Sequence, residues 1–179
     1  MACSITLTSN TQDCSPNIGG VAAVYAANRA DLTFSAGVSG TNTLNISGSA
    51  GVFKKIGIQS GISSFSSTAQ VSEENGSLYY RDEASVVVNH ATALLSKLIG
   101  DVAKADLVFV VKDMNGTLWI IGQYSGIASH AQRVVLSGGL IESGTAKGDR
   151  NGATLNIACD HATPIMAVGS STNANIFDN

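Results

Sequence analysis

The dipeptide Asn-Gly occurs three times in this 179-residue chain, at Asn75-Gly76, Asn115-Gly116 and Asn151-Gly152, each time between two strand-like runs. Asn-Gly suits the two-residue type I′ turn, whose central residues both take positive φ and whose twist matches that of the flanking strands. Three such turns commit much of the chain to antiparallel hairpins. If each turn has two residues, the pairing register follows and can be compared with the side-chain pattern.

In the first hairpin this register sets Ser72 opposite Tyr79, Gln70 opposite Arg81, Thr68 opposite Glu83 and Ser66 opposite Ser85. With Ser64 these residues form one polar face. The other face pairs Val71 with Tyr80, Ala69 with Asp82, Ser67 with Ala84 and Phe65 with Val86, and it is mostly apolar. Both strands agree on which side is wet, as the two-residue period of a strand demands. Each arm runs about eleven residues, or roughly 37 Å, where five or six residues are usual. An ordinary sheet with one solvated face accounts for the pattern, and so does a hairpin that reaches out to a neighbouring subunit; the length favours the second.

The second hairpin, Asp106 to Asp113 and Thr117 to Tyr124, is apolar on both faces and is expected to be the core. Phe109, Val111, Leu118, Trp119 and Ile120 are its core candidates, joined by Phe65 and Val86 from the first hairpin. The third is expected from Leu140 to Lys147 and from Ala153 to Asp160. There Leu155, Ile157 and Cys159 share a face, opposite the small residues Gly144, Ala146 and Gly148. Between the first two hairpins, His90 to Lys104 carries Leu94, Leu95, Leu98, Ile99 and Val102 along one stripe, which predicts an amphipathic helix with Asn89 as its N-cap. Leu94, Leu98 and Val102 are its core candidates. Shorter strands are predicted at Ser4–Thr8, Val21–Ala27, Asp31–Phe34, Thr43–Ser47 and Phe53–Gln59. The expected fold is mainly β, an antiparallel barrel or sandwich with one flanking α-helix and a long protruding hairpin, in a single domain over residues 1–179.

Composition narrows the function. Ala, Ser, Gly, Thr and Asn make up 89 of the 179 residues, and only 13% are charged. Net charge is −3 and Lys54-Lys55 is the one adjacent basic pair, which argues against a nucleic-acid-binding face. No apolar run is long enough to span a bilayer, and the first ten residues read as no secretory signal, so a cytoplasmic setting without a membrane partner is expected. Three cysteines, Cys3, Cys14 and Cys159, do not read as a disulfide framework, although the spacing of Cys3 and Cys14 allows a local bridge. Cys159-Asp160-His161 lacks the usual metal-ligand spacing, and Cys159 is explained as a small core residue. No Gly-x-Ser-x-Gly is present, and Gly144 to Asp149 lacks the spacing of a phosphate loop. His90 is placed at the helix start and His130 in a turn. No enzyme, cofactor or metal is expected.

Ala2-Cys3-Ser4-Ile5, the second cysteine Cys14, then Gly19-Gly20-Val21 and Val24-Tyr25, resemble the start of virion structural proteins from tailed phages of Bacteroidetes-type hosts. The run from Gly144 to Leu155 is similar to a stretch near the end of phage tail tube proteins, where a strand precedes an Asp-containing turn and another strand. The resemblance implies a β-barrel or sandwich whose copies form hexameric rings that stack into a tube, as in the inner tubes of injection systems, with long hairpins side by side around the lumen. It places the protein in the virion tail, assembled in the host cytoplasm. Its partners would be its own copies, other tail or neck proteins, and double-stranded DNA that passes without specific binding. The lumen-facing candidates are then Ser64, Ser66, Thr68, Gln70, Ser72, Arg81, Glu83 and Ser85. A tail terminator, a collar, a capsid-decorating protein or a soluble β-sandwich binding module are the other readings.

Overall fold

The structure of the protein is a computed structural model that describes residues 17–37, 42–59, 61–74, 76–122, 133–170, 172 and 174–178. The expected strand at Ser4–Thr8, together with Cys3, Cys14 and His130, lies outside the described residues. In chain order the elements are β1 (Val21–Asn28), β2 (Leu32–Ala36), β3 (Thr43–Gly48), β4 (Lys54–Ile56), β5 (Ser64–Ser72), β6 (Ser77–Asn89), α1 (Ala93–Lys104), β7 (Leu107–Asp113), β8 (Leu118–Ile121), β9 (Val135–Glu142), β10 (Gly152–His161) and β11 (Met166–Val168). They build two sheets, one ordered β2-β3-β11-β8-β7-β1-β4 and one ordered β5-β6-β10-β9. All pairings between these strands are antiparallel except β11 with β3. Among the described residues the fold is mainly β with one α-helix, and its two sheets pack face to face as a sandwich.

The core lies between the sheets. Val24, Phe109, Val111 and Ile121 from the larger sheet meet Ala84, Val86, Leu155 and Ile157 from the smaller, and Leu95 and Val102 of α1 close one side. The far face of the larger sheet is also covered. Val108, Val110 and Ile120 pack there against Phe53 and Ile176, and the Phe177 ring stacks on Phe53 at 5.2 Å and tilts against Tyr25 at 5.1 Å. This second layer explains why β7 reads as an unbroken apolar run: both its faces are dry.

All three Asn-Gly turns differ from the two-residue form. In the first hairpin Ser72 pairs with Ser77, so the connection spans four positions and the register moves by two residues. An even shift leaves each side chain on its own face, so the polar and apolar sides survive the change. The second hairpin has a three-residue loop. The Asp113 N–H donates to the Thr117 carbonyl, the Gly116 N–H (φ 92°) donates to the Asp113 carbonyl, and the Asp113 Oδ1 accepts from the Thr117 N–H at 2.8 Å. Asp113 thus shapes this turn, while Asn115 turns away to bind Asn17 and Ile18. Asn151-Gly152 is no turn at all. Gly152 is the first residue of β10, flanked by Asn89 and Glu142, and a Cβ there would lie 2.2 Å from the Val88 carbonyl oxygen. The third hairpin therefore begins earlier, in β9, and the glycine opposite Leu155 is Gly139 rather than one of residues 144–148.

The helix starts later than its apolar stripe suggests. Asn89 ends β6, His90 takes φ 72°, and Thr92 is the N-cap, its Oγ1 accepting from the Leu95 N–H at 3.2 Å. Leu94 is not a core residue. It is 76% exposed, whereas Leu95 in the same turn is 5% exposed, so the helix turns position 95 rather than 94 to the core. Val86, Val102, Phe109, Val111 and Ile120 are buried, and Phe65 and Leu98 are half-buried against the central core. Leu118 and Trp119 are also half-buried, with the Trp119 Nε1–H donating to Asp113 Oδ2 at 3.0 Å and its ring 6.1 Å from Phe65.

This placement separates two apolar residues that the sequence pattern treats alike. Phe109→Ala should lower unfolding stability by about 3–5 kcal/mol through cavity formation, whereas Leu94→Ala should stay within about 0.5 kcal/mol. Urea denaturation of the two variants checks both values.

Candidate assembly surface

The four-stranded sheet carries the residues singled out from the sequence. Along β5 and β6 the cross-strand pairs are Ser64–Ser85, Ser66–Glu83, Thr68–Arg81 and Gln70–Tyr79, with Ser72–Ser77 at the tip. Alternate residues share a face. Ala84 and Val86 point into the core, so Ser64, Ser66, Thr68, Gln70, Ser72, Arg81, Glu83 and Ser85 lie together on the outer face. Of these, Ser64, Ser66, Thr68, Gln70 and Glu83 are exposed, and Ser72, Arg81 and Ser85 are half-buried.

Neither outer strand of this sheet, β5 or β9, has a further strand paired to it among the described residues, and α1 packs against β9. β5 has nine residues and β9 has eight. Neither contains a proline or a lysine, and Glu142 is the one charged residue between them. Soluble proteins usually blunt such edges with charges, prolines or very short strands. The larger sheet shows that habit at β4, three residues long with Lys54 and Lys55. The last residue of β10, His161, pairs with Tyr80, so the β5–β6 hairpin continues past its support for three residue pairs, roughly 10 Å. The Val71–Leu78 pair on this overhang would face the core if the core reached that far; instead Val71 is 70% and Leu78 52% exposed.

Charge on the outer face is largely cancelled. The Arg81 Nε lies 2.7 Å from Glu83 Oε1, and its Nη1 lies 3.7 Å from Asp160 Oδ1. The hydrogen bond to Glu83, then the charge of Asp160, push the guanidinium further above its ordinary range. At the opposite end of the sheet Arg150 binds the Glu142 carboxylate and the Thr154 hydroxyl. Two arginines thus face three carboxylates. Asp160 is a member that strand periodicity in the first hairpin does not reveal, since it arrives on β10.

The other chemistry-bearing groups are held by the fold itself. The Asp149 Oδ2 accepts from the Ala146 N–H, the Thr145 N–H and the Thr145 hydroxyl at 2.7 to 2.9 Å, which holds its carboxyl below the usual carboxylate range. The glycine-rich run from Gly144 therefore wraps its own carboxylate instead of offering its amides to an anion. Behind the hairpin, Asp82 is fully buried opposite Cys159, and His161 Nε2 approaches Asp82 Oδ2 to 3.0 Å, within ion-pair distance but without hydrogen-bond alignment. Burial, and secondarily the Asp82 charge, push the Cys159 thiol up to about 12. No group of three or more His, Cys, Asp or Glu among the described residues could hold a metal ion, and no described helix is long and apolar enough to cross a membrane.

Comparison with known proteins yields no matching family model, curated protein or solved structure.

A thiol raised so far is almost wholly protonated near neutral pH, and only the thiolate reacts. Cys159 should therefore resist iodoacetamide at pH 8 in the native protein and label readily in urea, as followed by mass spectrometry of its peptide. Rapid native labelling at this residue would contradict the burial.

Proposed function

We propose that this chain is the structural subunit of a phage tail tube, polymerising as stacked rings around a channel through which DNA passes. The observation that carries the reading is the four-stranded sheet whose outer strands, β5 and β9, are nearly equal in length and have no further strand beside them among the described residues. Its strands alternate in direction, so β5 and β9 run oppositely. When one copy is rotated about a ring axis onto the next, β9 of the first meets β5 of the second in antiparallel orientation. A sheet with an even number of alternating strands can thus continue around a ring without a break. Closure removes the exposed edges, which is how β-barrels avoid uncontrolled aggregation.

The outer face of the sheet suits the channel wall, because the opposite face is already committed to the core. Hydroxyl and amide groups dominate it, and its arginines are matched by carboxylates. A cation that neutralises a phosphate releases counterions and adds affinity, so a wall with unpaired lysines would hold DNA. This one offers passage with little adhesion. The resemblance of the N-terminal and Gly144–Leu155 motifs to tail proteins supports the same reading.

Purified protein should form six-fold rings or tubes in negative stain, and a chain that stays monomeric at high concentration would contradict the proposal. Ser66→Lys combined with Thr68→Lys should leave rings intact but make assembled tubes bind double-stranded DNA, with an affinity that falls steeply as salt rises. Unchanged DNA retention in that variant would remove this face from the channel.

A further inference from the structure

The two ends of β6 differ in chemistry. At its start the hairpin tip carries the exposed acids Glu73 and Glu74 beside the exposed Val71–Leu78 pair. At its end, where β6 gives way to α1, lies an open groove of about 960 Å³ between α1 and β4. The groove combines an apolar strip, Leu94 and Leu98, with four lysines, Lys54, Lys55, Lys97 and Lys104, against a single carboxylate, Asp101. Four of the ten Lys and Arg residues of an acidic chain are thus gathered in one place. Lys97 is paired to Asp101 at 2.6 Å and Lys54 to Asp178 at 3.2 Å, whereas Lys55 and Lys104 have no ion pair among the described residues.

We propose that the hairpin tip of one copy docks in the α1–β4 groove of a second copy, and that this contact stacks one ring on the next. The inference rests on the ring reading above and adds the axial partner. Charge complementarity selects the occupant: two acids meet two unpaired lysines. Leu94 and Val71, the two most exposed large apolar side chains among the described residues, leave water in the same contact together with Leu78. Shape argues that the occupant is another copy. Tip and groove sit at opposite ends of a 13-residue strand, roughly 40 Å apart, so a tip cannot reach its own groove. A contact between two different patches is heterologous, and when the patches lie at opposite ends of one strand it can repeat along that strand's axis as an open stack of rings.

The direct test uses the protein as it is. Assemblies formed from an equal mixture of ¹⁵N-labelled and unlabelled chains are coupled with a carbodiimide, which joins carboxylates to amines in contact. Mixed-label cross-links between the peptide holding Glu73-Glu74 and those holding Lys55 or Lys104 are expected. Glu73→Lys with Glu74→Lys should leave single rings but raise the protein concentration needed for stacking at least tenfold. Lys55→Glu with Lys104→Glu should do the same, and combining all four should restore tubes. All four side chains are on the surface, and circular dichroism of each variant checks that it folds. Normal tube length in either double variant overturns the docking while leaving the ring reading intact, as does a lysine variant that loses only DNA binding. A wild-type chain that forms no rings overturns both.

Discussion

Ten consecutive residue pairs join β6 to β10, and the dry face they present is what the rest of the molecule is arranged around. Val86, Leu155 and Ile157 on that face are 1 to 2% exposed, packed against Val24, Phe109 and Val111 of the larger sheet. Apolar burial of this kind is the main favourable term in folding. Because these two strands occupy the middle of the smaller sheet, β5 and β9 necessarily become its edges. Because β10 ends at His161, the hairpin is rooted in the core along part of its length and free beyond it. The features that favour assembly thus follow from where the core stops.

The same geometry gives the small, weakly charged composition a physical role. In the proposed tube, a strand of the wall needs one face for the core, one for the channel and a clean edge for its neighbour. Serine and threonine on the outer face supply polarity without charge, and their short side chains do not obstruct an approaching strand. Asp82 is the exception on the inner face. It is a carboxylate held at the margin of the core, within reach of His161 and beside the Cys159 thiol. Pairing limits the cost of burying such a group, and truncating one partner would leave the other stranded.

Alternation along the first hairpin reveals its wet and dry faces, and it does so even though the register is two residues from the one a type I′ turn dictates. Parity is robust to that error; turn length is not. It depends on side chains outside the dipeptide, as when Asp113 accepts the Thr117 amide and draws the second turn into three residues. Residues that look local can also belong to distant partners. Asn89 resembles a helix cap in the sequence but is the last rung of β6 beside Gly152, so the cap passes to Thr92. Leu94 fits the helical stripe, yet two adjacent leucines cannot both face the core, and it is Leu95 that does. The Arg81–Asp160 and Asp82–His161 contacts each bridge 79 residues and exist only once β10 lies beside β6, which no spacing rule within one hairpin discloses.

The central claim is that β5 and β9 are the edges through which copies join, and amide hydrogen exchange compares those edges directly in dissociated subunits and in assembled tubes. In the free subunit, β6 and β10 should be protected, since each is bonded on both sides, while β5 and β9 exchange at their outward amides. In the tube, protection should rise at residues 64–72 and 135–142 and change little at β6 and β10. Equal exchange of β5 and β9 in both states, or protection gained instead at β2 and β4, would contradict the claim.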